Sequence, residues 1–532
     1  MQRRDLFRFM LSGVVLLQGA KAMATTAADT GDSFNVIDRS AADLQAAMGR
    51  GGLTSQQLVR AYLARIEQID RAGPRINSVI ELNPDALAIA AELDLERAQK
   101  GPRGPLHGIP ILIKDNIATA DKMQTTAGSL AMVGVKPLQD AFIVTQLREA
   151  GAVILGKTNL SEWANFRSTR STSGWSARGG LTLNPYALDR NTSGSSSGSA
   201  SAIAASLAAI AVGTETDGSI VSPASISSLV GIKPTLGLVS RSGIIPIAAS
   251  QDTAGPMARS VADAALLLSV LAGSDARDPI TGEAKAHAQD YMQFLQTDGL
   301  RGARIGVVRA NFASASDLTA AVIETALKVL TDKGAILIDV ELPNAGKYGD
   351  TETAVLTIEL KAGLNAYLAA CAPGSGIRTL QDIIAFNEQH RDKEMPFFGQ
   401  EYFLRAQAKG GLDDKEYLAA LALNRRLSRE EGIDKVMLAE RLDALVAPTN
   451  GPAWLTDFIN GDNSGDGFSQ AAAVAGYPHV TVPAGQVAGL PVGISFVGRP
   501  WQEGPLIRLA YAFEQATLHR RTPTYPASVR MK

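Results

Sequence analysis

Two serines and one lysine have the types and spacing that could do chemistry in this sequence. Ser195 lies in TSGSSSGSAS, Ser219 lies 24 residues later in GTETDGS, and Lys114 ends the apolar run GIPILIK. A serine hydroxyl is a weak nucleophile until a neighbouring base accepts its proton. Lysine can be that base only where its pKa falls by about three units from its ordinary value. The combination therefore indicates acyl transfer by a serine that a neutral lysine activates.

The turn before Ser219 is suited to hold a developing negative charge. Gly213 and Gly218 allow a tight turn after an apolar stretch, so that consecutive backbone N–H groups can converge. Converging N–H groups form an oxyanion hole, and a serine at the end of the turn could attack the carbonyl whose oxygen they bind. Taken without the lysine and the first serine, the same residues predict an ordinary turn.

Other interpretations of these motifs remain open at this point. Gly194 to Gly198 also fits G-x-S-x-G, which would make Ser196 the nucleophile of a strand-to-helix elbow, with His479 as the most suitable later histidine. The preceding LNPYALDRNT does not resemble the strand that an elbow needs. A phosphate-binding loop would require a Gly-Lys-Ser/Thr ending, which is missing. Lys114 alone could be solvated or paired with Asp115.

The elements that must position these residues alternate between helices and apolar strands. Helical spacing covers residues 40–48 and 54–69, with Ser40 and Thr54 placed as N-caps. Further helices are predicted at 84–98 and 140–150. Short apolar runs predict strands at 109–113, AVILGKTN, 303–309, 335–342, 443–450, HVTVPAG and PVGISFVG. This pattern predicts an α/β sheet covered on both faces, with 273–300 as a surface connection.

Composition excludes several classes of protein. The 532 residues are 45% hydrophobic and 20% charged, which allows a large core. The chain carries 51 basic and 53 acidic residues, so no electrostatic footprint for nucleic acid or an anionic membrane is present. The single cysteine, Cys371, excludes an intrachain disulfide and is interpreted as a small buried residue.

The N-terminus predicts an export signal. Arg3, Arg4 and Arg8 precede the apolar run 9–17, and Ala22-Met23-Ala24 fits a peptidase site, so residues 1–24 are predicted to form a cleavable signal. The alternative is an N-terminal anchor. The paired arginines in RRDLFRF favour the twin-arginine type. We expect a periplasmic or secreted protein with no stable membrane association after cleavage. Residues 25–35 form a polar lead segment.

Several longer motifs resemble one enzyme family. GIPILIKDNI, GSSSGSASAIA, TETDGSIVSPAS, AGAVILGKTNLSEWANF, LDALVAPT and AAAVAGYPHVTVPAG together resemble the amidase signature family. Within it, LSEWANFR, GWSARGG and SQDTAGPMARSVADAA look most like bacterial peptide amidases. The resemblance implies an amidase signature fold, a large mixed twisted β-sheet covered by helices on both faces. It implies a single amidase domain over 36–520, followed by a C-terminal tail over 521–532.

The resemblance also implies a role for each site residue. Ser219 is the nucleophile, Ser195 is a bridging serine that follows a cis Gly194–Ser195 bond, and Lys114 is the base. The oxyanion hole consists of N–H groups of Thr216, Asp217, Gly218 and Ser219, and Ser196 orients Lys114 or Ser195. No metal or cofactor is implied.

The resemblance implies hydrolysis of carboxamides, foremost the conversion of C-terminal peptide amides to peptide acids and ammonia. The alternatives are a broad-specificity small-amide hydrolase and an amidotransferase-like subunit. The export signal and the acidic mature chain argue against the latter. We expect a monomer that acts on a peptide or small-molecule amide. The pocket residues implied by resemblance are Glu162, Trp163, Asn165 and Phe166, and burial in the core is an equal alternative for Trp163 and Phe166.

Asp217 departs from the family pattern, since most members carry glycine there. A carboxylate aimed at the oxyanion would oppose catalysis, so we hypothesise that this side chain turns away and accepts a hydrogen bond from a substrate N–H. The alternative is an aspartate that forms the turn without touching substrate.

Overall fold

A mixed sheet of eleven strands runs through the described part of the chain. The computed structural model describes residues 34–313, 315–371, 373–465 and 467–529, which belong to one compact unit beginning at Phe34. The predicted export signal at 1–24 and most of the polar lead segment lie outside these residues. Thirteen strands are present in the described ranges: β1 Val79–Leu82, β2 Pro110–Lys114, β3 Val153–Thr158, β4 Trp175–Ser176, β5 Gly180–Leu181, β6 Ile210–Glu215, β7 Val230–Lys233, β8 Thr253–Ala258, β9 Arg304–Val308, β10 Ile336–Val340, β11 Ala444–Pro448, β12 His479–Val487 and β13 Leu490–Val497.

The strand order of the large sheet is β1-β3-β2-β6-β8-β7-β12-β13-β11-β9-β10, and β4 pairs with β5 in a separate ribbon. Strands β3, β2 and β6 are parallel, as are β11, β9 and β10, whereas the strands between these groups pair antiparallel. Strands β2, β3, β6, β8, β11 and β13 are buried at every position. Side chains alternate between faces, so helices and loops cover both faces of the sheet. The predicted fold class is confirmed.

Eighteen α-helices pack around the sheet in the described ranges. They are α1 Ala41–Gly49, α2 Ser55–Arg65, α3 Ala86–Lys100, α4 Phe142–Glu149, α5 Ser197–Ala204, α6 Val221–Ile226, α7 Val261–Leu271, α8 Ala284–His287, α9 Ala310–Ala313, α10 Asp317–Asp332, α11 Gly349–Cys371, α12 Leu380–Gln389, α13 Arg391–Glu394, α14 Glu401–Ala408, α15 Lys415–Ser428, α16 Asp434–Ala439, α17 Gln470–Ala475 and α18 Glu503–Thr517. Ser40 and Thr54 each form a capping box, as their positions predict.

The predicted surface connection at 273–300 is only partly correct. The region contains only short 3-10 turns and the four-residue helix α8, so its sequence shows no helical or strand periodicity. However, Tyr291 and Leu300 are buried in the main core. Its polar residues form a local network instead, in which the Asp275 N–H donates to Thr281 Oγ1 over 2.8 Å.

Helix α11 is the one described helix that is long and apolar enough to cross a membrane, with a mean hydropathy of 1.2 in its most apolar window. Half of that window is buried inside the protein. Leu360 and Leu364 pack in a core cluster with residues of α12 and α14. The core helix of a folded domain meets the same criteria, so the composition of α11 is weak evidence for a membrane span.

Candidate active site

Lys114 ends β2 and is fully buried. Its Nζ lies 2.7 Å from Ser195 Oγ, 2.9 Å from Thr214 Oγ1 and 3.2 Å from the Thr214 carbonyl oxygen. Burial disfavours the charged ammonium and lowers the pKa of Lys114 to about 7, although the more distant Glu215 and Asp252 carboxyls oppose this shift. A large fraction of this amine is therefore neutral at neutral pH.

Parallel strand pairing explains why Lys114 meets Thr214. Strand β2 pairs in parallel with β6, and Ile113 lies opposite Val212. The carboxyl ends of both strands therefore reach the same edge of the sheet, where α/β proteins commonly place functional groups. The interpretation that Lys114 pairs with Asp115 is wrong, because the Asp115 carboxyl accepts a hydrogen bond from Thr126 and is paired with Arg178 over 3.4 Å.

Ser195 follows a cis peptide bond to Gly194, as the family resemblance predicts. It is fully buried beside Lys114, and its carbonyl accepts a hydrogen bond from the Ser161 N–H over 3.1 Å. A Cβ atom added at Gly194 would lie 2.1 Å from Ser161 Oγ, so only glycine fits this close approach. The next residue joins the two serine corners, because the Ser196 N–H donates to the Ser219 carbonyl over 3.1 Å.

The Ser196 hydroxyl serves β6 rather than Lys114 or Ser195 directly. Its Oγ donates to the Thr214 carbonyl over 3.0 Å and accepts from the Thr214 N–H over 3.2 Å. Ser196 therefore orients Thr214, which in turn holds Lys114. No strand directly precedes Ser196, and His479 Nε2 lies 2.6 Å from Ser495 Oγ in a buried site that lowers the pKa of His479 to about 3. The strand-to-helix elbow is therefore the wrong interpretation.

The carboxylates of the buried Glu215 and the half-buried Asp252 hold the turn from Thr216 to Ser219. The Glu215 carboxylate accepts from the N–H groups of Ile220 and Val221 over 2.7 and 3.0 Å. On the other side, the Thr216 hydroxyl donates to Asp252 Oδ1 over 2.6 Å. Gly218 has a φ of +76°, which favours glycine at this position. The turn is thus held from both sides, and Ser219 follows it at the start of α6.

Ser219 opens into a cavity of about 490 Å³, which we call the Ser219 cavity. Both serine corners contribute to its wall, which includes Ser193, Gly194, Thr216, Asp217, Gly218 and Ser219. Phe166 stacks on Tyr402 in the wall, with ring centroids 4.3 Å apart and planes inclined by 9°. The volume and the aromatic lining are typical of a site for an organic ligand.

Of the four candidate pocket residues, Asn165 and Phe166 line the Ser219 cavity. The pocket prediction is wrong for Glu162, and for Trp163 the alternative of burial in the core is confirmed. Glu162 is buried, with its carboxylate 2.5 Å from Arg167 Nη1. Trp163 is buried in a core cluster and packs edge-on against Phe403 at 5.5 Å. Trp163, Ala164 and Asn165 all have positive φ values between 52° and 72°, so a left-handed turn separates the core residues from the cavity residues.

Asp217 lies in the wall of the Ser219 cavity. Burial raises the pKa of Asp217 well above its usual range, and the neighbouring Glu352 carboxyl adds to the rise. Its Oδ1 atom is buried and has no hydrogen-bond partner among the described residues. By contrast, both Glu352 oxygens are occupied, by Gln251 Nε2 over 2.9 Å and Gln470 Nε2 over 2.8 Å. Asp217 therefore keeps one unused polar atom within the turn from Thr216 to Ser219.

Sequence reasoning missed Thr214, Asn116 and Asp252. Thr214 bonds Lys114 with two atoms, and Asn116 Nδ2 donates to Thr214 Oγ1 over 3.0 Å. The one available signal was position, since Thr214 ends an apolar strand and Asn116 closely follows another. Asp252 lies far along the chain and carried no local signal. Within the described ranges, no cluster of three or more His, Cys, Asp or Glu side chains is placed to hold a metal ion.

The fold and its relatives define a hydrolase that acts on amide C–N bonds. The sequence model of the Amidase family matches residues 57–507, and the chain belongs to this family. A probable amidase of Arabidopsis thaliana is 43% identical, covering 93% of both chains. The solved native peptide amidase of Stenotrophomonas maltophilia is 53% identical, with a TM-score of 0.89, covering 92% of this chain and 99% of that one. A glutamyl-tRNA(Gln) amidotransferase subunit from Carboxydothermus hydrogenoformans is 34% identical, covering 88% of this chain and 96% of that one.

A second solved structure is that of peptide amidase in complex with the competitive inhibitor chymostatin, and the sequence of that chain is 52% identical to this one. Its TM-score is 0.88, and the match covers 92% of this chain and 99% of that one. The expected amidase signature fold is therefore confirmed, as is the resemblance to peptide amidase.

Proposed function

We propose that this protein deamidates C-terminal peptide amides and releases ammonia and the peptide acid. The observation that carries the proposal is the Ser219 cavity, which has room for the end of a peptide and reaches Ser219. The likeness to peptide amidase over nearly the whole chain supports the same substrate class.

The proposed first step begins with a neutral Lys114. A neutral amine has two N–H groups and one lone pair, and Lys114 Nζ has two contacts with Thr214 and one with Ser195. The N–H groups donate to Thr214, and the lone pair accepts the Ser195 proton. Ser195 in turn accepts the proton of Ser219, whose Oγ attacks the carbonyl carbon.

The attack moves the carbonyl electron pair onto oxygen, where N–H groups of Thr216, Asp217, Gly218 and Ser219 stabilise the charge. When the carbonyl re-forms, the C–N bond breaks and the relay returns the proton to nitrogen, so that ammonia leaves. Water then transfers a proton to the same relay and attacks the ester carbon. The Ser219–acyl bond breaks as the relay returns this proton to Ser219 Oγ, and the peptide acid is released.

We assign to Asp217 the role of accepting a hydrogen bond from a substrate N–H through its unused Oδ1. Replacing Asp217 with Ala should lower kcat/KM for a peptide amide by about tenfold, which equals the loss of one buried hydrogen bond. Asp217→Asn is the matched control, since it keeps an acceptor oxygen and should retain more activity. Unchanged kcat/KM in the alanine variant would leave Asp217 as a turn residue only.

The decisive experiment incubates the mature protein with matched peptide amides and peptide acids. Ammonia release from the amides, with no backbone cleavage of either set, is the expected result, and Ser219→Ala is the inactive control. Hydrolysis of small amides with no action on peptide amides would replace the proposal with a broad-specificity amidase.

The signal predicted at residues 1–24 supports a further proposal, namely delivery to the periplasm or the medium. Replacing Arg3 and Arg4 with lysine should leave the uncleaved protein in the cytoplasm of a host with a twin-arginine pathway. Normal export of this variant would contradict the twin-arginine assignment.

A further inference from the structure

A second cavity, of about 400 Å³, reaches Asn116 and Thr214, which lie beside Lys114. We call it the Asn116 cavity. Gln139, Arg277 and Ala370 are exposed at its outer end, and Cys371 is half-buried there. The lining also includes buried residues beside the proposed machinery: Asn116, Thr214, Glu215 and Thr216. The cavity thus runs from the surface to the residues that hold the lysine.

The inner end of this cavity has an unused hydrogen-bond acceptor. Asn116 is 2% exposed, and its Nδ2 donates to Thr214 Oγ1, which also contacts Lys114 Nζ. Asn116 Oδ1 is buried and has no hydrogen-bond partner among the described residues. A buried polar atom is normally satisfied by protein or by a small molecule. This end of the cavity therefore suits a small N–H or O–H donor.

The two cavities share part of their walls. Ala164, Thr216 and Ile247 line both the Asn116 cavity and the Ser219 cavity. Thr216 is the first residue of the oxyanion turn, so the shared wall lies beside the bond that the enzyme would break. Ammonia formed at Ser219 would therefore have to pass only these shared residues to move from the Ser219 cavity into the Asn116 cavity.

The charges along the Asn116 cavity disfavour an anionic occupant, since the lining also includes the Glu215 and Asp252 carboxyls. Arg241 is paired with Asp278 over 2.6 Å, and Arg277 is paired with Asp275 over 3.3 Å. Both guanidinium groups are thus neutralised by a partner. An anion would find no unpaired cation in this lining, whereas neutral ammonia and water require only hydrogen bonds.

We propose that the Asn116 cavity is a second access route, through which ammonia leaves and water enters while the peptide still fills the Ser219 cavity. This inference rests on the acyl-enzyme of the proposed function. While the acyl group is bound, it blocks the way out through the Ser219 cavity, and trapped ammonia would attack the ester and regenerate the amide. A separate exit removes ammonia before this reversal and admits the water that completes the reaction.

Cys371 provides a chemical test because it is the only cysteine in the chain. Disulfide labelling with a benzyl methanethiosulfonate would fill the outer end of the cavity, and the small methyl reagent would fill it less. With the benzyl label, kcat for a peptide amide should fall by about tenfold with KM unchanged or lower. Cys371→Ser, treated with the same reagent, is the control and should keep its activity.

A labelled-ammonia exchange distinguishes a blocked route from a distorted site. Isotopically labelled ammonia added to the solution should enter unreacted peptide amide through the acyl-enzyme, and the benzyl label should suppress this exchange. Ala370→Trp should act like the benzyl label, whereas Ala369→Trp is the matched control, since Ala369 is exposed but does not line the cavity.

Unchanged kcat and unchanged exchange after benzyl labelling would overturn the route, and so would an equal loss in Ala369→Trp. These results are distinct from failure of the proposed function, in which the unlabelled enzyme releases no ammonia from peptide amides. If another amide is the substrate, the same labelling experiment on that amide tests the route.

Discussion

Two buried lysines on neighbouring strands have similarly lowered pKa values but contact different groups. Lys114 on β2 and Lys157 on β3 are both fully buried, and burial lowers their pKa values to about 7 and about 8. Lys157 Nζ donates to the Ile117 carbonyl over 2.6 Å and to Thr125 Oγ1 over 2.9 Å, and Asp115 opposes the fall in its pKa. Lys114 instead contacts Ser195, in the corner that is bonded to Ser219.

A low pKa alone is not enough to identify a catalytic base. A third lysine, Lys233, is also buried, and its pKa is lowered to about 8, yet its Nζ donates to the Pro234 carbonyl over 3.0 Å. Carbonyl oxygens carry no proton to remove, and the Thr125 hydroxyl beside Lys157 lines neither cavity. The distinguishing property of Lys114 is therefore a hydroxyl partner, Ser195, in the corner that is bonded to Ser219 and its cavity.

The strongest test of this comparison replaces each lysine with methionine, which preserves most of the buried volume. Lys114→Met should lower kcat by about 10³-fold, because a positioned base contributes on the order of 10²- to 10⁴-fold. Lys157→Met should keep kcat within a few-fold, since its lysine contacts no proposed reacting group. Turnover is measured at pH 8 on protein whose folded fraction is known.

The control variant should differ in stability instead. Lys157→Met removes the donor to the Ile117 carbonyl and to Thr125 Oγ1, together with a charge that favours the ionised Asp115 carboxyl, at a cost of about 2 kcal/mol in unfolding free energy. Urea denaturation would measure it. Near-normal turnover in Lys114→Met would remove this lysine from the mechanism, and a comparable kinetic loss in both variants would erase the distinction between them.

The pH dependence of the rate should also reflect Lys114 and not Lys157. A lysine whose pKa is lowered is active when deprotonated, so the rate should be full above pH 7 and fall below it. The expected decline approaches about tenfold per pH unit well below the pKa. Lys157→Met should keep this acid limb. A profile that stays flat to about pH 5 would contradict a base with the properties of Lys114.

The sequence predicted many strands but not their order in the sheet. Apolar runs marked β2, β3, β9 and β11, because a strand buried on both faces is apolar throughout. An apolar run also marked β10, although this strand lies at the edge of the sheet and is only partly buried. Nothing local indicated that β8 lies between β6 and β7, or that β12 and β13 separate β7 from β11. Such neighbours are far apart in the chain, and the pairing depends on the whole fold rather than on the residues of one strand.

The sequence predicted the site residues whose side chains could react, because few residue types can do so. It did not predict the residues that only hold those side chains in place, because many residue types can do that. Lys114, Ser195 and Ser219 belong to distinctive motifs, and the structure brings Lys114 against Ser195 and bonds the two serine corners together. Thr214 was missed because a threonine at a strand end usually does nothing more than pack. Trp163 was predicted in the pocket because it belongs to the same motif as Phe166, but the left-handed turn directs it into the core.

Thr214 can be tested by a substitution that keeps its shape. Thr214→Val removes the hydroxyl that contacts Lys114 Nζ and Asn116 Nδ2 but retains a branched side chain. We expect kcat to fall by about tenfold, because the lysine loses one of the two groups that fix its lone pair toward Ser195. Thr214→Ser keeps the hydroxyl and should lose much less. Equal activity in the valine and serine variants would show that the carbonyl contact alone holds Lys114.

Asp252 offers the smallest and most diagnostic effect, because it acts on both the oxyanion turn and the pKa of Lys114. Its carboxylate accepts from Thr216 Oγ1 over 2.6 Å and from the N–H groups of Ile247 and Ala248 over 2.8 Å. Asp252→Asn should lower kcat at pH 8 by about fivefold with KM unchanged, since an amide NH₂ cannot accept one set of these bonds.

The same substitution should move the acid limb of the pH profile. The Asp252 carboxyl raises the pKa of Lys114, so removing its charge should lower that pKa and shift the limb to lower pH. Thr216→Val is the matched control, because it breaks the contact with the turn but keeps the charge. It should reduce kcat without moving the limb, and the double variant should lose less than the sum of the two. If the losses in kcat were additive in the double variant and the acid limb did not move in Asp252→Asn, Asp252 would act on neither the turn nor the pKa of Lys114.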